Sequence, residues 1–328
     1  MKFRDVSNWV ETYATSTKGT RDKLVLLEPG TEDTYFLKFP MNKPGRDYTP
    51  ENWSEVIAYE LGNYFGFDVL EYNLAAYRGK VGCISKNMVR SSANELLVEG
   101  HSILSRYDDS YDPGDKNTYN MYTFDFVKNS IVAYGMKNYV ADFIKILVFD
   151  AIIGNSDRHQ SNWGIIQASV KKEERKNRLT RFIPFVQDVK MKVETEYRPA
   201  PIYDSGCCLG REHDEGKLLQ MLESDEAIDK YVRKGTAELR IARDKKKCRH
   251  DELLSFIKNT DHGEWRDVIE TEISRVVTIY KEDEIRQLIY NTDEGLPDEY
   301  KERYGLTMAR KEFICRVIGK RIKQLKNV

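Results

Sequence analysis

The segment Ile152-Ile153-Gly154-Asn155-Ser156-Asp157-Arg158-His159-Gln160-Ser161-Asn162-Trp163-Gly164 constrains this chain more than any other. It follows Tyr139–Ile153, a run so apolar that it reads as a helix buried on most sides. Gly154-Asn155 is a helix-stop pair, and Gly164-Ile165-Ile166 reads as a short strand. Polar side chains packed this densely between a buried helix and a strand are costly unless they line a site. Asp157 and Asn162 stand five positions apart, a spacing that a tight loop can fold back on itself. The carboxylate could then orient a hydroxyl while the amide oxygen holds a divalent ion. Read alone, the same residues also fit an Asx-rich turn capping the helix.

A second segment adds to the first reading. In Pro201-Ile202-Tyr203-Asp204-Ser205-Gly206 a short apolar strand, Ala200–Tyr203, delivers a carboxylate into a glycine turn. Magnesium takes a few oxygen ligands from protein and the rest from phosphates and water, and Asn162 with Asp204 supplies that minimum. A DSG triplet by itself is a plain turn; beside DxxxxN it gains weight.

The N-terminal part offers complementary pieces. KLVLLEPG followed by DTYFLKFP reads as a hairpin turning near Pro29-Gly30. Lys38 lies in that second strand; such a lysine either points to solvent from an edge or serves the site. SEVIAYELGNYFG reads as a helix with Ser54 as N-cap and Gly66 as stop. Glu55, at its start, makes a natural ion-pair partner for Lys38, placing an ammonium over nucleotide phosphates. Upstream, Ala14–Thr20 is a small polar loop in which Ser16, Thr17 and Gly19 could cover phosphates with backbone amides. It holds a single glycine, and an irregular entry segment fits it as well.

Two more strands are expected at Leu70–Tyr77 and Lys80–Asn87. From about residue 95 the pattern turns helical, helices dominate from Leu218 onward, and Ala309–Leu325 is an amphipathic candidate that closes the fold. The expected class is therefore α+β, bilobal and protein-kinase-like, with a β-rich N-lobe at 1–92 and a mainly helical C-lobe at 93–328. Between Asn162 and Asp204 lies the charged stretch Lys171–Arg198, either a docking or regulatory element or a solvated hairpin.

Composition narrows the classes. A chain of 328 residues with 40% hydrophobic side chains can bury a large core. A formal net charge of −1 gives no whole-molecule attraction to nucleic acid or anionic membrane, so direct nucleic-acid binding is not expected. The five cysteines form no CxxC pair, which points to a reducing compartment rather than a disulfide framework or zinc site. The start has no apolar signal core and no stretch is long enough to span a bilayer; a cytoplasmic protein is expected.

The segments GNSDRHQSNWG and PIYDSG, in that order after a phosphate loop, strand lysine and helix glutamate, resemble the catalytic core of HipA-like kinases. The resemblance is to the short, stand-alone bacterial type without the usual N-terminal extension, and it runs over roughly residues 10 to 325. It implies a protein-kinase-like bilobal fold that phosphorylates serine or threonine with ATP and magnesium. It further implies that Asp157 is the catalytic base or hydroxyl-orienting group, that Asn162 and Asp204 hold magnesium, and that Lys38 holds the ATP phosphates. His159 would brace the loop or stabilise transition-state charge. Some family members are silenced when a phosphorylated serine flips the phosphate loop outward, and Ser16 occupies that place. Family roles include toxins neutralised by an antitoxin partner and effectors secreted into host cells; the residues do not choose between them or name the protein substrate.

Two rival readings fit the same residues. Phosphoinositide-type lipid kinases also use a DRHxxN loop, with Lys171, Lys172, Arg175, Lys176 and Arg178 as the one basic cluster that would suit a membrane. A catalytically silent module could instead use the same cleft to hold a nucleotide. A metal-dependent phosphoesterase needs more His and Asp ligands than five histidines without a paired motif provide.

Overall fold

A computed structural model describes residues 1–12, 23–41, 47–173 and 191–328. The expected phosphate-loop residues Ser16, Thr17 and Gly19, and Arg175, Lys176 and Arg178 of the basic cluster, lie outside the described residues. The chain begins with β1 (Arg4–Asp5), β2 (Val10–Glu11), β3 (Lys23–Leu27) and β4 (Thr34–Lys38). Helix α1 (Thr49–Phe65) follows, then β5 (Tyr72–Tyr77) and β6 (Lys80–Lys86). These strands form one curled sheet in the order β1-β5-β6-β4-β3-β2. β1 runs parallel to β5, and the remaining pairs are antiparallel. The hairpin expected near Pro29-Gly30 is β3–β4, with Gly30 at φ +78°, a conformation open to a residue without Cβ.

Strand parity decides where Lys38 goes. Tyr35 and Leu37 join Val6, Leu26, Ala75 and Ile84 in a small core on one face of the sheet. Alternation sends Phe36 and Lys38 to the other face. There Lys38 is cross-strand from Cys83, and Leu74, Val81 and Cys83 pack with Val56, Ile57 and Leu61 of α1. β4 is an interior strand between β3 and β6, so the solvent-edge reading of Lys38 does not hold.

Helix α1 starts at Thr49, with Pro50 in its first turn, where a missing N–H is no loss. Ser54 is therefore not the N-cap. It is buried, with Oγ 3.1 Å from both Pro50 O and Cys208 O. Glu55 consequently lies in the second turn, on the buried inner face with Glu51 and Asn52, and not at the helix start. Gly66 ends the helix in the left-handed conformation, φ 74°, as expected. Trp53 Nε1 donates to Tyr304 O at 2.6 Å and Tyr64 OH to Ile279 O at 2.9 Å, tying α1 to the C-terminal helices.

The second part opens with a strand that the sequence reading counted as helical, β7 (Glu95–Glu99), before α2 (Gly100–Tyr107) and α3 (Phe124–Ala133). Helix α4 (Tyr139–Ile153) has the predicted bounds and ends at Gly154, φ 69°. Phe143, Ile144, Val148, Phe149, Ile152 and Ile153 are wholly buried, each worth about 1.5–3 kcal/mol relative to exposure. The expected short strand at Gly164 is longer: β8 (Gly164–Glu173) pairs antiparallel with β9 (Met191–Pro199), and β7 completes a three-stranded sheet. The charged stretch thus supplies two paired arms. Ala200–Tyr203 is not a strand of any sheet; Ile202 makes one isolated parallel bridge to Val69.

Helices α5 (Glu215–Leu222) and α6 (Asp225–Lys234) follow, then an unanticipated hairpin of β10 (Thr236–Arg240) and β11 (Lys247–Arg249). The chain finishes with α7 (His250–Asn259), α8 (Arg266–Ile279), α9 (Glu282–Asn291), α10 (Asp298–Tyr304) and α11 (Met308–Leu325). The class is α+β: a curled sheet with one helix in front, helices behind. Among the described residues no helix is long and apolar enough to cross a membrane.

Candidate active site

The loop after α4 is organised by an arginine that the sequence reading passed over. Arg158 is 1% exposed. Its Nε and Nη2 donate to the two oxygens of Asp150 at 2.9 and 2.8 Å, a bidentate pair. Nη1 donates to Asn162 O at 2.6 Å and to Tyr203 O at 2.5 Å, and Nη2 also reaches Ser205 Oγ at 3.0 Å. One guanidinium therefore ties the end of α4, the DRHxxN loop and the DSG turn together. Burial works against its charge, but Asp150 more than offsets this and holds the guanidinium above its ordinary range. A carboxylate in the apolar C-terminal half of α4, Asp150, was the available signal, because a buried charge needs a partner.

The remaining loop bonds fix its members in turn. Asn162 Nδ2 donates to Asp157 O at 2.9 Å, which turns its amide oxygen the other way. Asn162 N donates to His159 O, and Ser161 N to His159 Nδ1 at 3.1 Å. His159 Nδ1 is thus an acceptor, and the ring braces the loop. Asp157 N is held by Asn155 Oδ1. Beneath the loop, Tyr122 OH donates to Arg158 O and accepts from Trp163 Nε1, both at 2.9 Å.

Across from the loop, Lys38 Nζ donates to Asp204 Oδ1 at 2.9 Å, joining positions 166 residues apart. Asp204 has φ 55°, a left-handed backbone that a non-glycine residue adopts at some strain. Its amide donates to Tyr72 OH at 3.2 Å. The expected Lys38–Glu55 ion pair is replaced by this Lys38–Asp204 bond. Glu55 is buried one step further in, and its Oε2 accepts the Ser205 amide at 2.8 Å. Gly206 is required by close approach, since a Cβ there would meet Glu51 Cγ at 2.9 Å and Glu55 Oε1 at 3.2 Å. Cys207 Sγ lies 3.3 Å from Asp157 Oδ2.

The electrostatics of this cluster are tense. Burial opposes the Lys38 charge, yet Asp204, Tyr72 and Glu55 together hold the ammonium above the usual lysine range. Burial pushes Glu55 up to about 8, with Lys38 pulling the other way and Asp204 adding to the rise. Burial, then the Glu55 charge, raises the Tyr72 phenol. Lys23, also missed from sequence, is cross-strand from Lys38, and burial followed by the Lys38 charge depresses it.

The structure thus gathers Asp157, His159 and Asn162 on one loop, and Lys38, Glu55 and Asp204 around the turn that Arg158 fastens to that loop. A family model described as the HipA-like C-terminal domain matches residues 15–251. The chain belongs to this HipA-like family. A curated relative, the serine/threonine-protein kinase CtkA of Helicobacter pylori strain J99, is 24% identical over 238 residues, covering 70% of this chain. The match spans 63% of that relative's own length. The crystal structure of the Helicobacter pylori proinflammatory kinase CtkA superposes with a TM-score of 0.70 at 20% identity, covering 98% of this chain and 95% of the other. The fold is therefore shared with that kinase over nearly the whole of both chains.

Proposed function

We propose that this chain is a serine/threonine protein kinase of HipA-like type that transfers the γ-phosphate of ATP to a protein hydroxyl with magnesium. The observation that carries the reading is Arg158, which binds the backbone of Asn162 and of Tyr203 with a single nitrogen. The two residues assigned to the metal, Asn162 and Asp204, are thereby fastened to one anchor from opposite ends of a forty-residue gap. In this reading residues 1–92 form the nucleotide-side lobe and 93–328 the acceptor-side lobe.

The donor set fits the ion. An amide oxygen and a carboxylate are hard oxygen ligands, few in number, as magnesium in phosphoryl-transfer sites requires. Bound there, magnesium would neutralise charge on the ATP phosphates. Asn162 offers its amide oxygen because Asp157 O holds the NH2 group. Asp204 offers a carboxylate whose direction is set by its left-handed backbone. Lys38 brings a permanently charged ammonium to the same place, and Glu55 steadies the turn through the Ser205 amide. Asp157 orients the acceptor hydroxyl and takes its proton, while His159 braces the loop. Transfer of this kind depends on positioning and charge neutralisation more than on covalent help from protein.

The relative named as a serine/threonine-protein kinase supports a protein acceptor. An antitoxin or other regulatory protein is the partner class that the family suggests. The test is transfer of labelled γ-phosphate from ATP and magnesium to the chain itself and to a generic protein, alongside Asp157→Ala and Asp204→Ala. Label with the unaltered chain and none with either variant is expected. Label on phosphoinositides alone would replace the protein-kinase reading with a lipid kinase. Nucleotide binding without transfer to any acceptor would replace it with a silent module.

A further inference from the structure

Asp157 carries a side-chain contact that a hydroxyl-orienting carboxylate does not need for itself. Cys207, three residues past Asp204, brings its Sγ to 3.3 Å from Asp157 Oδ2. Its carbonyl also accepts the amide of Ser156 at 3.3 Å, so the backbone is strapped to the same loop. On its other side the sulfur accepts a hydrogen bond from Arg211 Nη2 at 3.0 Å. Arg211 Nη1 in turn reaches Glu51 Oε2 at 3.4 Å, on the buried face of α1. Burial, and then the Asp157 carboxylate, push the thiol well above its ordinary range, which keeps it a donor.

A thiol can donate one hydrogen and accept weakly at sulfur. With Arg211 occupying the acceptor side, the S–H is left to point at Asp157 Oδ2. That bond fixes the rotation of the carboxylate about its own axis.

We propose that Cys207, oriented by Arg211, is a positioning residue for phosphoryl transfer that sets which oxygen of Asp157 meets the acceptor. This rests on the kinase reading above. Losing one hydrogen bond to a charged group that aims a catalytic carboxylate should lower kcat roughly tenfold. The expected pattern is that Cys207→Ala lowers kcat by that factor with the KM for ATP unchanged. Cys207→Ser, whose hydroxyl also donates and accepts, should restore most of it.

A second readout does not depend on activity: the rate of Cys207 alkylation by iodoacetamide against pH, followed by mass spectrometry on the full chain. With the carboxylate neutralised in Asp157→Asn, thiolate forms at lower pH and alkylation speeds up; in Arg211→Gln it slows. Equal kcat in Cys207→Ala and the unaltered chain, equal losses in the Ala and Ser variants, or alkylation unmoved by Asp157→Asn would each overturn the proposal. An unaltered chain that transfers no phosphate while alkylation shifts as expected would sink the kinase reading and leave the Cys207–Asp157 contact standing.

Discussion

The DRHxxN loop and the Lys38 cluster face each other over the same turn, yet they are built on opposite principles. On the loop side Arg158 makes five hydrogen bonds inside the protein, to Asp150, Asn162, Tyr203 and Ser205, and the charge is matched by one carboxylate. On the other side Lys38 donates to Asp204, with the Glu55 carboxyl buried beside the pair. Glu55 Oε1 is buried with no hydrogen-bond partner among the described residues. The first region is a finished scaffold; the second crowds an ammonium, a carboxyl group and a phenol whose proton affinities burial and mutual charge have shifted. Polar networks that are fully satisfied rigidify a fold, whereas partly satisfied ones concentrate where chemistry is done.

If that contrast is right, the two regions should fail differently. Arg158→Met should be the most damaging change, costing roughly 3–5 kcal/mol because it leaves Asp150 buried and unpaired. Urea denaturation of the variant should show it, and Asp150→Leu added to Arg158→Met should recover part of the loss. Recovery of nothing would mean that the backbone ties to Asn162 and Tyr203, not the charge pair, carry the stability.

Lys38→Met should do the reverse. Phosphoryl transfer should drop roughly 100- to 1,000-fold, the range for removing one preorganised donor, while the melting temperature changes far less than in Arg158→Met. A collapse in stability equal to that of Arg158→Met would erase the distinction between the two sides.

Glu55 supplies a pH test. Its folded pKa, about 8, lies above the carboxyl's ordinary 4.5, so the folded state holds the proton more tightly than the unfolded chain. The stabilisation linked to that proton is complete below about 4.5 and fades as pH rises through about 8. Melting temperatures taken between pH 5 and 8 should therefore decline more steeply in the unaltered protein than in Glu55→Gln. Parallel curves for the two proteins would show that the carboxyl titrates elsewhere.

The smallest effect is expected beneath the loop. Tyr122→Phe removes the hydroxyl that joins Arg158 O to Trp163 Nε1 and should cost about 1–3 kcal/mol by leaving buried groups unpaired. Denaturation should detect it with little change in the KM for ATP.

What could be read from sequence followed local signals. The bounds of α4, its Gly154 stop, the β3–β4 hairpin and the Gly66 stop all rest on residues within a turn or two of each other. Ser54 misled because serine is a good N-cap in general, while Pro50 four residues earlier was the stronger start signal. That displacement moved Glu55 by more than a turn, and the inferred Lys38–Glu55 pair went with it. Lys38 meeting Asp204 was out of reach, since it depends on β4 parity and on a turn 166 residues away. The convergence on Arg158 had a trace, Asp150 in an apolar helix, but its acceptors at Asn162, Tyr203 and Ser205 exist only once the loop and the turn meet. Tyr72 and Cys207 left no trace at all, because their contacts are to a backbone amide and a loop carboxylate brought in by tertiary packing.

Helix α1 is bolted in three places, by Trp53 to Tyr304 O and Tyr64 to Ile279 O in the helical rear and by Ser54 beside Cys208 O just past the DSG turn. Swinging it away from the cleft would break these three links. At roughly 1 kcal/mol net for each hydrogen bond, such a swung-out form would make up less than about 1% of the molecules. Control by levering this helix is therefore closed to weak effectors. A regulator that used it would have to prefer the swung-out form by more than about 3 kcal/mol simply to bring the two forms level, whereas one acting on the sheet in front of α1 would face none of these bolts.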